Sequence, residues 1–325
     1  MTRVPEIAER VNFEIPKPDK KLSKFLATRW AQSRLTDVRG QLTTDQRANV
    51  KSHAGDSATW FMATPTHPQY TLSNIHFSLK LKHRLALSIF RVTRTASVAV
   101  RCSCGENIDE FGYHLVTCYD DGNPERARLH NDMRDEVADF CRECRFHCVD
   151  TENKVDHDSA RRGDIVVPNW NEWGGDLWLD LVTASPHRKD LMGFAAMVSG
   201  IAAKEGEDDK EAKYREVVSR TVPRPTFIPL ALEIGGTWGD RAMDFFREAV
   251  RRKGGSQSEQ AAFLGYWMRR FSVRFAAGVA TVMTRRWARF SGRSYAAGEL
   301  EFGAFYAETG AAPGTAPGDL QHGGV

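Results

Sequence analysis

The sequence lacks a long hydrophobic run, an apolar segment near its start, and any cysteine outside one short region. No stretch of about 18 apolar residues occurs, which argues against a membrane-spanning helix. Residues 1–21 are charged and contain prolines, so they do not form a secretory signal, and we expect an intracellular protein with no membrane attachment. All six cysteines lie within residues 102–148, which in a reducing compartment favours metal ligation over disulfides.

A large excess of charge is also missing. The 325 residues carry a net charge of +3, with 41% hydrophobic and 27% charged residues, as in ordinary globular proteins. Bulk charge therefore does not indicate a nucleic-acid-binding protein, although the basic residues are clustered. The length allows two compact domains, or one large domain with appendages.

Hydrophobic periodicity and turn residues predict an alternation of helices and strands in the second half of the chain. Residues 1–57 are polar, with helical content near 21–41, and residues 58–100 include a basic helix over 79–92. The elements predicted after these are a helix over 124–145, strands within 146–183, a helix over 189–221 that is either continuous or interrupted near Gly206, a strand over 227–234, and helices over 239–253 and 257–291. This order predicts an α/β core over about 124–291.

Four soft or borderline metal ligands lie close together: Cys102, Cys104, His114 and Cys118. Zinc takes four such groups at tetrahedral corners, with bonds of about 2.0–2.3 Å. Two close pairs joined by a loop that contains glycines meet that demand, so the spacing predicts a zinc module. The alternative is two unrelated buried cysteines near a core histidine.

A second group contains Cys141, Cys144, His147 and Cys148. The three cysteines are spaced three and four residues apart, so they share one face of a helix. Core residues have the same spacing, and we favour core packing over a second metal site.

Two aspartates lie on strand-like segments joined by turn residues. A hairpin folded about Glu172 sets Asp164 opposite Asp180, because the two are equally distant from that centre. Two carboxylates so close repel each other unless a proton or a cation lies between them. A Mg²⁺ ion would resolve that conflict with hard oxygen ligands, and it could activate water for attack on a phosphodiester. In the alternative reading, Asp164 begins a surface strand and Asp180 pairs with Arg161 or Arg162.

Two basic helices offer surfaces for phosphate groups. One contains Lys80, His83 and Arg84, and the other is the C-terminal helix. Its basic residues are Arg269, Arg270, Arg274, Arg285, Arg286, Arg289 and Arg293. Aromatic residues alternate with these arginines, and most of them are expected in the core, with base stacking as the alternative.

The succession of the cysteine–histidine module and the acidic segment resembles a known family. It is similar to the C-terminal region of the non-LTR retrotransposon reverse transcriptases that carry a restriction-like endonuclease. The stretches that match are "CSCGENIDEFGYHLVTC", "RLHNDMRD", "RRGDIVVPNW", "WLDLVTAS", "EAKY" and "FIPLALEIGGTWG". The likeness covers about residues 58–291 and is most specific over 101–240.

The resemblance implies a zinc module over 101–123 and a PD-(D/E)xK nuclease domain over 124–295, followed by a mostly disordered tail over 296–325. The implied fold is a mixed sheet flanked by helices. The implied activity is Mg²⁺-dependent nicking of DNA, with Zn²⁺ in a structural role and nuclear localisation. DNA is the implied partner, together with RNA of a parent element.

The family's site residues carry over by position. Asp164 matches the aspartate of the PD element, with Gly163 in place of the proline, and Asp180 matches the second acid. Lys213 and Tyr214 match a Lys-Tyr pair on the next helix. The usual strand lysine is Val182 here, so the resemblance implies that a helix lysine replaces it.

Further residues have weaker assignments. Lys210 is the alternative to Lys213, and His130 is a structural cap or a DNA contact. Arg161 and Arg162, with Lys210 and His130, are predicted to bind nucleic acid. Glu152 is a candidate for an additional acid near the metal, and Glu233 is either functional or a strand-end carboxylate paired with an arginine.

One departure from the family is large. The sequence has no Tyr-x-Asp-Asp motif, and about 100 residues before the zinc module cannot form a polymerase domain. We therefore expect a truncated element, a gene fragment or a domesticated derivative. The alternatives to a nuclease are an inactive nucleic-acid-binding remnant and a structural zinc protein that binds another protein.

Overall fold

The computed structural model of the chain describes only part of the sequence. Its placed residues are 33, 36–38, 40–55, 58–64, 67–90, 100–118, 124–146, 149–154 and 162–292. The predicted helical content near 21–41 and the predicted tail over 296–325 lie largely or wholly outside them.

Helices form most of the described chain. They are α1 (Thr44–Ser52), α2 (Asn74–Arg84), α3 (Tyr113–Thr117), α4 (Pro124–Glu143), α5 (Met192–Ala195), α6 (Ile201–Arg220), α7 (Asp240–Lys253) and α8 (Gln257–Ser291), with short 3₁₀ turns at Trp60–Met62 and Pro68–Tyr70. Although α8 has 35 residues, no described helix combines the length and hydropathy that a membrane span needs.

Four strands form one mixed sheet in the order β1-β2-β3-β4. They are β1 (Asp150–Lys154), β2 (Arg162–Val167), β3 (Leu177–Ala184) and β4 (Thr226–Glu233). The first three are antiparallel neighbours, and β4 runs parallel to β3. A parallel pair needs a long crossover, which α5 and α6 supply. The α/β prediction is confirmed at this level.

The β2–β3 hairpin has the predicted register. Its pairs are Ile165–Leu179, Val166–Trp178 and Val167–Leu177, all symmetric about Glu172. The turn at its end uses left-handed residues, Asn169 at φ 54° and Gly174 at φ 75°. Asparagine and glycine tolerate that conformation best, so the local sequence sets where the hairpin turns.

The two faces of the sheet pack against different helices. Val166 and Trp178 contact Tyr214 and Val217 of α6 on one face. The side chains that alternate with them, including Ile165, join the main core formed with α4, α7 and α8. In that core the ring of Phe140 packs against the rings of Phe245, Phe246, Phe263, Trp267 and Phe271. Each fully buried ring stabilises the fold by roughly 2–3 kcal/mol.

Two helix predictions differ from the structure. The predicted helix over 189–221 is interrupted between Ala195 and Ile201, whereas α6 is continuous through Gly206. Glycine at this position lets α6 lie close to the sheet, since a Cβ there would be 3.3 and 3.5 Å from the nearest atoms of Val182 and Ala231. Helix α2 ends at Arg84, short of the predicted end, and Ala86 follows in a left-handed conformation.

The second cysteine group packs in the core as far as the structure describes it. Cys141 and Cys144 are 0% and 2% exposed and belong to the main hydrophobic cluster. Burial raises the pKa of the Cys144 thiol to about 12, which disfavours the thiolate that metals bind. His147 and Cys148 lie outside the described residues.

Candidate functional site

The four residues of the predicted zinc module come together. One ligand atom from each of Cys102, Cys104, His114 and Cys118 lies within 4.8 Å of all the others. The two sulfur atoms of Cys102 and Cys118 are 3.7 Å apart, close to the tetrahedral edge of about 3.8 Å expected for Zn–S bonds of about 2.3 Å. Cys104 Sγ and His114 Nε2 are 3.3 Å apart. This Cys₃His cluster could hold a metal ion such as zinc.

Local backbone structure presents these ligands. The Cys102 N–H donates to Glu106 O at 2.9 Å, and the turn between them needs Gly105, which has φ 87°. The carboxylate of Asp109 accepts the backbone N–H groups of Phe111, Tyr113 and His114 at the start of α3. Asp109 therefore acts as the helix cap that orients His114 rather than as a ligand.

The electrostatics of the cluster favour a thiolate at Cys102. Burial by itself raises the pKa of this thiol, but hydrogen bonds from the Cys104 backbone and from His114 lower it to about 6. Zinc binds the thiolate form of cysteine, so the lowered pKa reduces the proton competition at this position.

Asp164 lies where the β2–β3 ladder ends. The last ladder pair is Ile165–Leu179, and beyond it the Leu181 N–H donates to Asp164 Oδ2 at 2.6 Å. His130 Nε2 of α4 lies 3.2 Å from Asp164 Oδ1. The carboxylate thus bridges the strand end and α4, which fixes its position.

Asp180 is buried on β3, with 4% of its surface exposed. Lys210 of α6 forms an ion pair with its Oδ2, and the Tyr214 hydroxyl donates to its Oδ1 at 3.3 Å. Burial raises the pKa of Asp180, Lys210 opposes that shift, and the charge of Asp164 adds to it. An ionised Asp180 therefore gains from any additional nearby cation.

The predicted site residues form two groups on neighbouring strands. Asp164 contacts His130, Asp180 contacts Lys210 and Tyr214, and the charge of Asp164 contributes to the raised pKa of Asp180. Sequence reasoning ranked Lys213 before Lys210, yet Lys210 is the residue that reaches Asp180. The missed signal is spacing, because residues four apart on a helix share a face and Tyr214 is four residues after Lys210.

Other predicted residues lie elsewhere or are not described. Arg161 lies outside the described residues, and Arg162 and Glu152 are described only as backbone of β2 and β1. Glu233 accepts the backbone N–H groups of Ala202 and Ala203 at 2.9 and 3.3 Å. It therefore caps the start of α6, and its hydrogen-bond partners are backbone groups rather than the arginine of the alternative reading.

A groove of about 670 Å³ lies between the zinc module and α6. Side chains that line it include His114 and Thr117 from the zinc module, Arg188 and Lys189 from the loop after β3, and Lys210 and Lys213 from α6. The Nζ atom of Lys213 is 6.0 Å from the centre of the Tyr214 ring. Three lysines and an arginine therefore line the groove together with the acids Glu106 and Asp209, and one of these lysines, Lys210, also contacts Asp180.

The two predicted basic helices expose fewer positive charges for phosphate binding than expected. Lys80 and His83 are each 1% exposed and point inward, so the prediction that they face phosphate was wrong. Burial and the charge of Arg84 lower the pKa of Lys80 to about 7. Three arginines of α8 bond to carboxylates of α4, namely Arg270 to Glu136, Arg274 to Asp132 and Arg289 to Glu125. Arg269 and Arg285 are exposed, as is Arg289 despite its bond to Glu125.

The aromatic residues of α8 are mainly core residues, as predicted. Trp267, Phe271, Phe275 and Trp287 are at most 3% exposed, whereas Tyr266 is 38% exposed.

Comparison with known proteins adds no relative. No protein family matches the chain, and no curated protein matches it.

Proposed function

We propose that this protein is a Mg²⁺-dependent DNA endonuclease of the PD-(D/E)xK type, derived from a non-LTR retrotransposon. The observation that carries the proposal is the pair of aspartates at the end of the β2–β3 hairpin, each held by side chains from a neighbouring helix. Two aspartates on neighbouring strands interact electrostatically there, and a lysine and a tyrosine from the crossover helix contact one of them.

The donor set suits a hard divalent cation. Asp164 and Asp180 would hold it through carboxylate oxygens, and the raised pKa of the buried Asp180 indicates a site that a further cation would stabilise. When bound, Mg²⁺ would supply a Lewis acid and an activated water. The Tyr214 hydroxyl and the Leu181 N–H keep the two carboxylates in place.

Lys210 is the lysine best placed to assist the reaction. Its ammonium group contacts Asp180 already, so it lies beside the position that the scissile phosphate would occupy. A cation there would orient the attacking water and stabilise the negative charge that develops on the phosphate. His130 of α4 contacts Asp164, so it would act as a positioning residue for this carboxylate.

The groove supports a polyanionic substrate. Its four basic residues, Arg188, Lys189, Lys210 and Lys213, outnumber its two acids, Glu106 and Asp209, and a phosphate backbone requires such positive charge. Arg188 and Lys210 are already paired with carboxylates, so Lys189 and Lys213 would be the main phosphate contacts. The cysteine–histidine module contributes His114 and Thr117 to its lining, so a DNA strand in the groove would contact both this module and Lys210. A nuclear location would follow from this substrate.

Cleavage of supercoiled plasmid by the full chain tests the proposal. We expect nicking with Mg²⁺ that is lost in the Asp164→Asn, Asp180→Asn double variant. The Asp244→Asn variant is a matched control, because Asp244 is an exposed acid paired with Arg247. Nicking that survives in the double variant would reject the site. Salt-sensitive DNA binding without nicking by the wild-type chain, in Mg²⁺ or Mn²⁺, would reject the nuclease and favour a binding remnant.

A further inference from the structure

Arg286 is a buried arginine that reaches the cysteine–histidine cluster from the C-terminal helix. The residue is 0% exposed, and it lies near the end of α8. One guanidinium nitrogen, Nη1, donates to the Cys118 carbonyl oxygen at 2.8 Å, and the other, Nη2, lies 3.5 Å from Cys102 Sγ. A single side chain thus contacts two of the four ligand residues.

The surroundings of Arg286 show how closely α8 and the zinc module pack. Trp287 stacks on Phe90, with ring centres 4.3 Å apart. A Cβ at Gly112 of the module would lie 2.9 Å from Phe90 and 3.7 Å from Met283 of α8. The module and this end of α8 are therefore packed closely, with Phe90 between them.

The positive charge of Arg286 can compensate the negative charge of a zinc–thiolate cluster. A zinc ion with three thiolates and one neutral histidine carries a net negative charge. Burial of such a charge costs free energy unless hydrogen bonds or an opposite charge compensate it. Donors to the sulfur atoms of a metal site supply that compensation and orient the ligands, and their removal typically weakens metal binding by about 10- to 100-fold.

We propose that Arg286, through its contacts with two ligand residues of the zinc centre, couples metal binding to the docking of α8. Its guanidinium donates to the Cys102 thiolate and to the Cys118 backbone, so zinc and the helix stabilise each other. This coupling is independent of the nuclease proposal, since it involves no substrate and neither aspartate.

Zinc affinity of the full-length protein is the first test, measured by competition with a chromophoric chelator. We expect the Arg286→Met variant to bind zinc about 10- to 100-fold more weakly than the wild type. Arg286→Lys should bind with intermediate affinity, since it keeps the charge but loses the fork of donors. The Arg285→Met variant is the matched control, because Arg285 is the preceding residue on α8 and is exposed, and its affinity should not change.

Thermal unfolding with and without chelator is the second test, and it separates coupling from packing. We expect Arg286→Met to lower the midpoint strongly when zinc is bound and only weakly after zinc is removed. An equal loss in both states would show that Arg286 only packs, and wild-type zinc affinity in Arg286→Met would overturn the proposal. If Arg286→Met does not fold, the thermal midpoints of Arg286→Lys with and without zinc provide the same test of coupling.

Discussion

The ammonium group of Lys210 forms an ion pair with the carboxylate of Asp180, with 23% and 5% of the two side chains exposed. Tyr214, one helical turn later, donates to the same carboxylate. One face of α6 therefore covers the candidate site, and Lys213 lies to the side of that face along the groove. The two lysines should for this reason differ in what they contribute.

We predict that Lys210→Met lowers the nicking rate at saturating DNA by about 100-fold or more, as expected for loss of a group that assists proton transfer or stabilises the transition state. Lys213→Met should instead weaken DNA binding and reduce its salt dependence, because a groove lysine contributes mainly phosphate contact. Single-turnover cleavage and binding at several salt concentrations measure the two effects.

Lys204→Met is the control for both, since Lys204 is an exposed α6 lysine paired with Asp208. Equal losses of rate in the Lys210 and Lys213 variants would contradict the distinction between them.

Ionisation of Asp180 should lower the stability of the folded protein as pH rises. Its pKa in the folded state is raised above the unfolded value, mainly by burial, so the folded protein loses stability as pH rises from about 4 through that raised pKa. Asp180→Asn cannot ionise. The variant should therefore gain in thermal midpoint relative to the wild type as pH increases from about 4 to about 8 in metal-free buffer.

Asp208→Asn should show the opposite slope. The hydrogen bond from Lys204 lowers the pKa of Asp208, so this residue stabilises the fold above its unfolded pKa, and that stability is lost as pH falls through the folded value. Thermal melting curves of both variants and the wild type across the pH range make the comparison. If the midpoint of Asp208→Asn rose relative to the wild type as pH increased, the direction of the pKa shift at Asp208 would be wrong.

The hairpin that carries the two aspartates could be predicted from sequence because its information is local. Turn residues between Val167 and Leu177 set the centre, and a period of two then fixes which residues face each other. Spacing alone places Lys210 on the same face of α6 as Tyr214, but which face meets Asp180 depends on the rotation of α6 about its axis. That rotation depends on contacts such as Gly206 against Val182, which residues far apart in sequence provide.

The zinc cluster should bind one zinc ion per chain. We predict that Cys118→Ala loses this ion on desalting, because three ligands hold zinc far more weakly than four. Cys141→Ala is the matched control, since Cys141 is a fully buried core cysteine, and it should retain the ion. Metal content by atomic emission gives the answer, and a second zinc ion that disappears in Cys141→Ala would reveal a site at the other cysteine group.

Close packing of α6 on the sheet should make Gly206 sensitive to size. Gly206→Ala should change stability by less than about 1 kcal/mol, since the gain in helix propensity offsets a tight contact. Gly206→Val should destabilise the protein by about 1–3 kcal/mol and move Lys210 away from Asp180. Denaturant unfolding measures both, with Gly193→Val as control because that position has open space. Equal stability of the two valine variants would contradict the packing argument.

The basic helices show where sequence reasoning fails. A run of arginines on α8 has the same pattern whether it faces solvent or faces acids on another helix. Here Arg270 meets Glu136, and nothing near either residue in the sequence indicates that pairing. The buried Lys80 is a similar case, because helical periodicity alone does not tell which side of a short helix faces the interior.

Helix α8 determines how short a working fragment can be. At about 1.5 Å per residue, its 35 residues extend for about 50 Å, from the aromatic cluster to the cysteine–histidine cluster. A fragment cut after α7 would keep both aspartates and both lysines, yet it would leave the rings around Phe140 in water and remove Arg286. Expression boundaries drawn around the acidic motif alone should therefore yield aggregated protein, and a usable boundary lies beyond Gly292.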